Sequence, residues 1–164
     1  MPADHPRFYY DLRSPDAWLA AETIVHDLGE VPEFVPVMAS RDSADLDDVA
    51  RRAAALEVIA FRPPAVFPPG DTTFAMLAAT YAKQIGKVVA FSLAAFRQAF
   101  AAGRDLADQD TVLLAGAAAE IHPKALIKGA ALKGTAERLR VATEQAIALG
   151  VLDVPAVSRD GRLL

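Results

Sequence analysis

Cysteine is absent from this sequence of 164 residues. The chain therefore has no disulfide framework, no thiolate metal site and no thiols of its own for disulfide exchange. The lack of cysteine does not by itself fix the cellular compartment. Only three histidines are present, and no nearby carboxylate pattern accompanies them, so the sequence predicts no metal site.

Long apolar runs and an excess of basic charge are also missing. No uninterrupted apolar stretch reaches 18 residues, and the polar N-terminus lacks the apolar core of a signal peptide. The net charge of −4, with dispersed basic residues, argues against a nucleic-acid or anionic membrane surface. We expect a cytoplasmic protein without nucleic-acid or membrane partners, of the size of one domain with a substantial core.

The most informative stretch runs from residue 7 to residue 28. Aromatic residues at 8–10 predict a short buried strand, and Ser14 followed by Pro15 predicts a helix start. Gly29 predicts its end. The Ser14 hydroxyl then lies where a helix collects unpaired N–H groups and the positive end of its dipole. The local pattern by itself favours a plain N-cap.

The chain continues with a second strand over residues 31–37, whose prolines favour a sheet edge. Its connection through the first helix predicts a parallel pair. A polar loop leads into a helix over 46–57. Four prolines within residues 61–70 then predict an extended surface segment.

The second half of the sequence is mostly helical in pattern, and it ends on strand signals. Helices are predicted over 71–86, capped by Asp71, and over 87–102, 112–121 and 135–149, with a shorter one restarting at His122 and broken by Gly129 and Gly134. A strand over 151–158 and a turn at Asp160 and Gly161 lead into a partner strand.

Residues 9–19 resemble the opening of the 2-hydroxychromene-2-carboxylate isomerases and kappa-class glutathione transferases, in the DsbA-like branch of the thioredoxin superfamily. Residues 14–17 read Ser-Pro-Asp-Ala where DsbA-like oxidoreductases carry Cys-Pro-X-Cys. Residues 68–76, 95–100, 103–108 and 150–157 are also similar to the isomerase group.

The resemblance implies an α/β protein, a thioredoxin-like fold with an inserted all-helical domain. The thioredoxin-like domain would comprise residues 1–40 and 150–164, and residues 41–149 would form the inserted domain and connecting helix. Members of the family continue with another strand, an aromatic-Gly-Asp loop and a closing helix. We therefore expect the C-terminal part of the domain to be missing from this sequence.

The sequence departs from the family at three places. Residues 38–43 replace a Gly-Asn-Lys type segment, Asp71 replaces an Asn, and Asp153 replaces a Gly. These departures keep a second interpretation open, in which the chain is a non-catalytic thioredoxin-like module that binds thiols or peptides.

The resemblance also implies a site for glutathione. Ser14 would orient the glutathione thiolate, and a cis peptide before Pro155 would open the Val154 backbone to glutathione as a short extra strand. Sequence alone favours a trans bond there. The predicted pocket residues are Phe67, Trp18, Arg62 and Asp71, although aromatic residues are more often core. A lone arginine, such as Arg13 or Arg62, could meet a ligand carboxylate but is more often solvated.

The expected function is that of a glutathione-dependent isomerase or transferase that acts on an aromatic-derived small molecule. Homodimers are common in the family, which makes a homodimer an expectation by analogy. A Ser-His-Asp hydrolase is disfavoured, because no Gly-X-Ser-X-Gly elbow surrounds Ser14. We further expect residues 71–103 to form a helical hairpin over the Ser14 end of the sheet, enclosing a mostly apolar cavity.

Overall fold

The structure is a computed structural model that describes residues 4–58 and 60–164. Residues 1–3 of the predicted thioredoxin-like domain lie outside the described residues. Within the described ranges, the elements in chain order are β1 (Arg7–Tyr10), α1 (Pro15–Leu28), β2 (Glu33–Pro36), α2 (Leu46–Ala55), α3 (Thr73–Gln84), α4 (Val88–Phe100), α5 (Gln109–Ala118), α6 (Pro123–Ala130), α7 (Lys133–Leu149), β3 (Ala156–Arg159) and β4 (Arg162–Leu163).

The strands form a sheet in the order β2-β1-β3-β4. Strands β1 and β2 are parallel, with Phe8 opposite Phe34, and β3 is antiparallel to both β1 and β4. The predicted parallel unit, the edge position of β2 and the final hairpin are therefore confirmed. Strand β3 begins only at Ala156, so the predicted strand over 151–158 is too long at its start.

The sheet buries different side chains on its two faces, because successive residues of a strand point in opposite directions. Phe8 and Tyr10 belong to the main core, whereas Tyr9 belongs to a smaller cluster on the other face. The main core joins the sheet to the inserted helices, and its largest members are Trp18, Tyr10, Phe8, Phe34, Phe91, Phe96 and Phe100. The inserted helices and the sheet thus share one core.

Helix α3 lies along a face of the sheet, and this corrects the prediction that the helical hairpin covers the Ser14 end. Near its start, Met76 Sδ accepts the Leu12 N–H at 3.4 Å, just beyond β1. Near its end, Lys83 Nζ donates to the Phe34 carbonyl at 3.0 Å, in β2. The helix therefore spans the sheet between opposite strand ends, and only its first turn reaches the Ser14 side.

Several helix boundaries differ from the prediction, and α5 covers Gln109–Ala118 in place of the predicted residues 112–121. Thr72, and not Asp71, is the N-cap residue of α3, while the Asp71 carboxylate accepts the Thr73 N–H at 2.9 Å. Gly129 lies inside α6 and Gly134 inside α7. A Cβ at Gly129 would meet the ring of a tyrosine from α3 at 2.4 Å. The glycine there permits close helix packing and does not break the helix.

Candidate functional site

Ser14 connects β1 to α1 and is the N-cap of that helix, as predicted. Its Oγ accepts the Ala17 N–H at 3.1 Å, and its own N–H donates to the Asp11 carbonyl at 3.0 Å. The residue is only 5% exposed. The hydroxyl proton of Ser14 has no acceptor among the described residues. Ser14 can therefore cap the helix and still donate one hydrogen bond.

The peptide bond between Val154 and Pro155 is cis, which confirms the geometry that the resemblance implied. Val154 and Ser14 line the same cleft. The other lining residues come from the turn before α1, from α1, from the loop after β2, from the proline-rich segment and from the segment before the cis-proline, and they are Arg13, Pro15, Asp16, Ser40, Asp42, Ser43, Ala44, Phe67 and Asp153.

This cleft is narrow and polar. Its free space is about 10 Å³, roughly the room that one water molecule needs. Three aspartates, two of them from loops, contribute carboxylates to its lining, and Phe67 is its one aromatic wall among the described residues. The prediction of an enclosed, mostly apolar cavity at this end of the sheet is therefore wrong.

The Val154 N–H is already paired, contrary to the prediction of an open backbone. Asp153 Oδ1 accepts it at 2.9 Å and also accepts the Arg41 N–H at 3.1 Å. Asp153 Oδ2 accepts the Ser43 hydroxyl at 3.4 Å. The Val154 carbonyl, in contrast, accepts no hydrogen bond from the part of the chain that the structure describes. Only half of the predicted strand-pairing edge is open.

Arg13 is fully engaged within the protein. Its Nε and Nη2 bind both carboxylate oxygens of Asp42, at 2.7 and 2.8 Å. Its other N–H groups reach the carbonyls of Pro69 and Gly70, at 3.0 and 3.3 Å, and Thr72 Oγ1 at 3.4 Å. Because a guanidinium has five N–H donors, none is left for a ligand carboxylate. Arg13 instead joins the loop after β2 to the proline-rich segment.

Asp11 is a buried carboxyl two residues before this arginine. It accepts the N–H groups of Arg13, at 3.1 Å, and of Ser40, at 3.5 Å. Burial raises the pKa of Asp11 to about 6, although both hydrogen bonds and the Arg13 charge act in the opposite direction. Sequence reasoning missed this residue, and the only local signal is its turn-forming bond to the residue two positions on.

The other predicted pocket residues lie outside the cleft. Trp18 is completely buried, where it stacks with Phe61 and donates its Nε1–H to Glu22 at 3.1 Å. The prediction that Trp18 contacts a substrate is therefore wrong. Arg62 and Asp71 are exposed and do not line the cleft. Pro155 is exposed beside the cleft, in an open groove along α1 and α2.

Within residues 4–58 and 60–164, no group of three or more His, Cys, Asp or Glu side chains is arranged to hold a metal ion. Among the same residues, no helix combines the length and the apolar character that a membrane span requires.

A parallel β1-α1-β2 unit, a helical insertion and an antiparallel hairpin preceded by a cis-proline define a thioredoxin-like protein of the α/β class. A family model described as a DSBA-like thioredoxin domain matches residues 7–164. The chain belongs to this family. No curated protein sequence matches it.

Solved structures agree on the fold. A structure of 2-hydroxychromene-2-carboxylate isomerase is 18% identical, with a TM-score of 0.81, over 97% of this chain and 87% of that chain. A probable DsbA oxidoreductase from Streptomyces coelicolor is 17% identical, with a TM-score of 0.77, over 94% and 80%. The cytosolic disulfide reductase DsbM from Pseudomonas aeruginosa, solved with GSH, is 17% identical, with a TM-score of 0.69, over 97% and 87%.

Proposed function

We propose that the protein is a glutathione-dependent enzyme of the isomerase or transferase type that acts on an aromatic-derived small molecule. The observation that carries this proposal is the placement of Ser14. Its hydroxyl is buried at the start of α1, retains an unclaimed proton, and lines one cleft with the residue before a cis-proline.

The chemistry follows from the lack of cysteine. Since the chain has no thiol, the sulfur must come from the ligand. A free thiol has a pKa of about 8.5, and a helix N-terminus with hydrogen-bond donors lowers it toward neutrality. The Ser14 O–H would donate to the thiolate, and the dipole of α1 would favour its negative charge. Ser14 would act as an orienting donor, with no covalent step of its own.

Two of the similar structures support this choice of chemistry. One is a 2-hydroxychromene-2-carboxylate isomerase, and another is a disulfide reductase solved with GSH. Phe67 is the aromatic wall of the cleft and the best candidate for contact with an aromatic substrate. Glutathione would contact the free carbonyl of Val154, next to Pro155.

A second candidate function is a non-catalytic thioredoxin-like module that binds thiols or peptides. The observation that favours it is the pairing of the Val154 N–H with Asp153. The carboxylates that line the cleft also disfavour the negative charge of a ligand thiolate there. This alternative requires a binding site but no thiolate.

Calorimetric titration with glutathione, combined with the ultraviolet absorbance of the bound thiolate, tests the proposal. We expect Ser14→Ala to reduce thiolate formation at neutral pH and to lower stability by about 0.5–2 kcal/mol through the lost cap. Asp108→Ala is the matched control, because Asp108 caps α5 through the Asp110 N–H at 3.0 Å and does not line the cleft. It should have a similar cost in stability and leave the thiolate signal unchanged.

The results separate the two functions. An equal thiolate signal in Ser14→Ala and the unaltered protein would contradict the role of Ser14. Glutathione binding by the unaltered protein without a thiolate signal would favour the binding module. No glutathione binding by the unaltered protein would contradict the proposed enzyme and leave only other thiols or peptides as ligands of the binding module.

A further inference from the structure

We propose that the Asp153 carboxylate is an internal latch that keeps the candidate site closed. The latch consists of this carboxylate and its three donors, the N–H groups of Arg41 and Val154 and the hydroxyl of Ser43. A peptide-like ligand must displace the carboxylate before it can accept the Val154 N–H. The identity of that ligand as glutathione depends on the proposed function, but the latch itself does not.

The latch joins two segments that are far apart in the sequence. Arg41 and Ser43 belong to the loop after β2, whereas Asp153 and Val154 precede the cis-proline. The distances from the carboxylate oxygens are 2.9 Å to the Val154 N, 3.1 Å to the Arg41 N and 3.4 Å to the Ser43 Oγ. One carboxylate therefore holds the loop against the wall of the cleft, through hydrogen bonds to a charged acceptor.

The Asp153 carboxylate takes the place of a ligand acceptor. An extended peptide that pairs with residue 154 would bring a carbonyl oxygen to its N–H. Asp153 Oδ1 already occupies that donor, while the neighbouring carbonyl of Val154 has no partner among residues 4–58 and 60–164. The strand-pairing edge is thus blocked at its donor and open at its acceptor. The small free space of the cleft, about 10 Å³, agrees with a closed state.

Opening the latch need not unfold the loop, because other contacts hold its remaining residues. Asp42 stays on the Arg13 guanidinium through two hydrogen bonds, and Ser40 N–H donates to the buried Asp11. Within the loop, release of Asp153 frees only the backbone of Arg41 and the side chain of Ser43. The motion that the inference requires is local.

The test combines amide hydrogen exchange with glutathione titration of the full chain. We expect Asp153→Ala to speed exchange of the Arg41 and Val154 amides by about tenfold or more, since both lose a charged acceptor. It should also tighten glutathione binding by about tenfold. Asp153→Asn keeps a neutral acceptor oxygen and should give smaller changes in both. Asp110→Asn, on the exposed start of α5, removes the same formal charge elsewhere and should change neither.

Each outcome decides a separate point. Unchanged exchange of Arg41 and Val154 in Asp153→Ala would overturn the latch, whatever glutathione does. Equal gains in affinity for the Asn and Ala variants would also overturn it, because charge removal alone would then explain them. Faster exchange without glutathione binding in any variant would support the latch and contradict the proposed function. Should Asp153→Ala not fold, Asp153→Asn must still show faster exchange, or the latch is refuted.

Discussion

Asp11 offers the sharpest test of the electrostatics beneath the cleft. Its carboxyl is 2% exposed, and burial raises its pKa from 3.8 to about 6. Between those pH values the folded protein keeps a proton that the unfolded chain has lost. The ionised carboxylate is therefore the unfavourable form in the folded state, and the free energy of unfolding should fall as the pH rises through this window.

The size of the effect follows from the two pKa values. The gap between 3.8 and about 6, at about 1.4 kcal/mol per pKa unit, corresponds to about 3 kcal/mol. Asp11→Asn has no proton to lose, so this decline disappears. We expect the stability of Asp11→Asn, relative to the unaltered protein, to increase by about 2.4 kcal/mol between pH 4 and pH 7, because pH 4 already lies slightly above the pKa of 3.8 in the unfolded chain. The comparison cancels the other carboxyl groups, which both proteins share.

Urea unfolding at a series of pH values measures this difference. Asp110→Asn serves as the control for the change from aspartate to asparagine itself, because that residue is exposed. A constant offset between Asp11→Asn and the unaltered protein from pH 4 to pH 7 would refute the raised pKa. An NMR titration of the Asp11 carboxyl would locate its midpoint directly.

Two further substitutions test packing and the tie across the loops. Gly129→Ala should lower the free energy of unfolding by about 1–3 kcal/mol, because its Cβ would meet the Tyr81 ring at 2.4 Å. Gly134→Ala, with no atom within 4 Å of its Cβ, should raise it by up to about 1 kcal/mol. Thermal unfolding compares the two variants, and equal effects would contradict the packing argument. Arg13→Lys should lower stability by about 1–3 kcal/mol and speed proteolysis of residues 63–70. The reason is that lysine cannot bind both Asp42 oxygens and the loop carbonyls. Unchanged proteolysis would contradict the role of Arg13 in connecting the two loops.

The sequence predicts those parts of the fold whose signals are local. Ser14, Pro15 and Gly29 delimit α1 because cap geometry depends on adjacent residues, and Gly29 has the positive φ of 71° that favours glycine. Gly129 could not be interpreted in this way. Glycine is needed at position 129 because the Tyr81 ring of another helix packs against it, and such contacts depend on tertiary packing.

The candidate site also combines features that the sequence predicts with features that depend on tertiary contacts. The N-cap at Ser14 follows from its neighbours, and the cis bond before Pro155 follows from the family resemblance. Asp153 is recognisable in the sequence as a departure from the family, but its partners are not, since Arg41 lies 112 residues away in the chain. The polar character of the cleft depends on loops that meet only in the folded protein.

The carboxylates around the cleft suggest an order of events for a thiol ligand. The charge of Asp42 is met by Arg13, and Asp16 is paired with Arg52. Asp153 has only uncharged donors among the described residues. Of these three, it is the carboxylate that most opposes a thiolate beside Ser14. Displacing the Asp153 carboxylate would free the Val154 N–H and move the negative charge of Asp153 away from the Ser14 hydroxyl. If glutathione binds as proposed, its backbone would bind first, and its thiol would lose its proton afterwards.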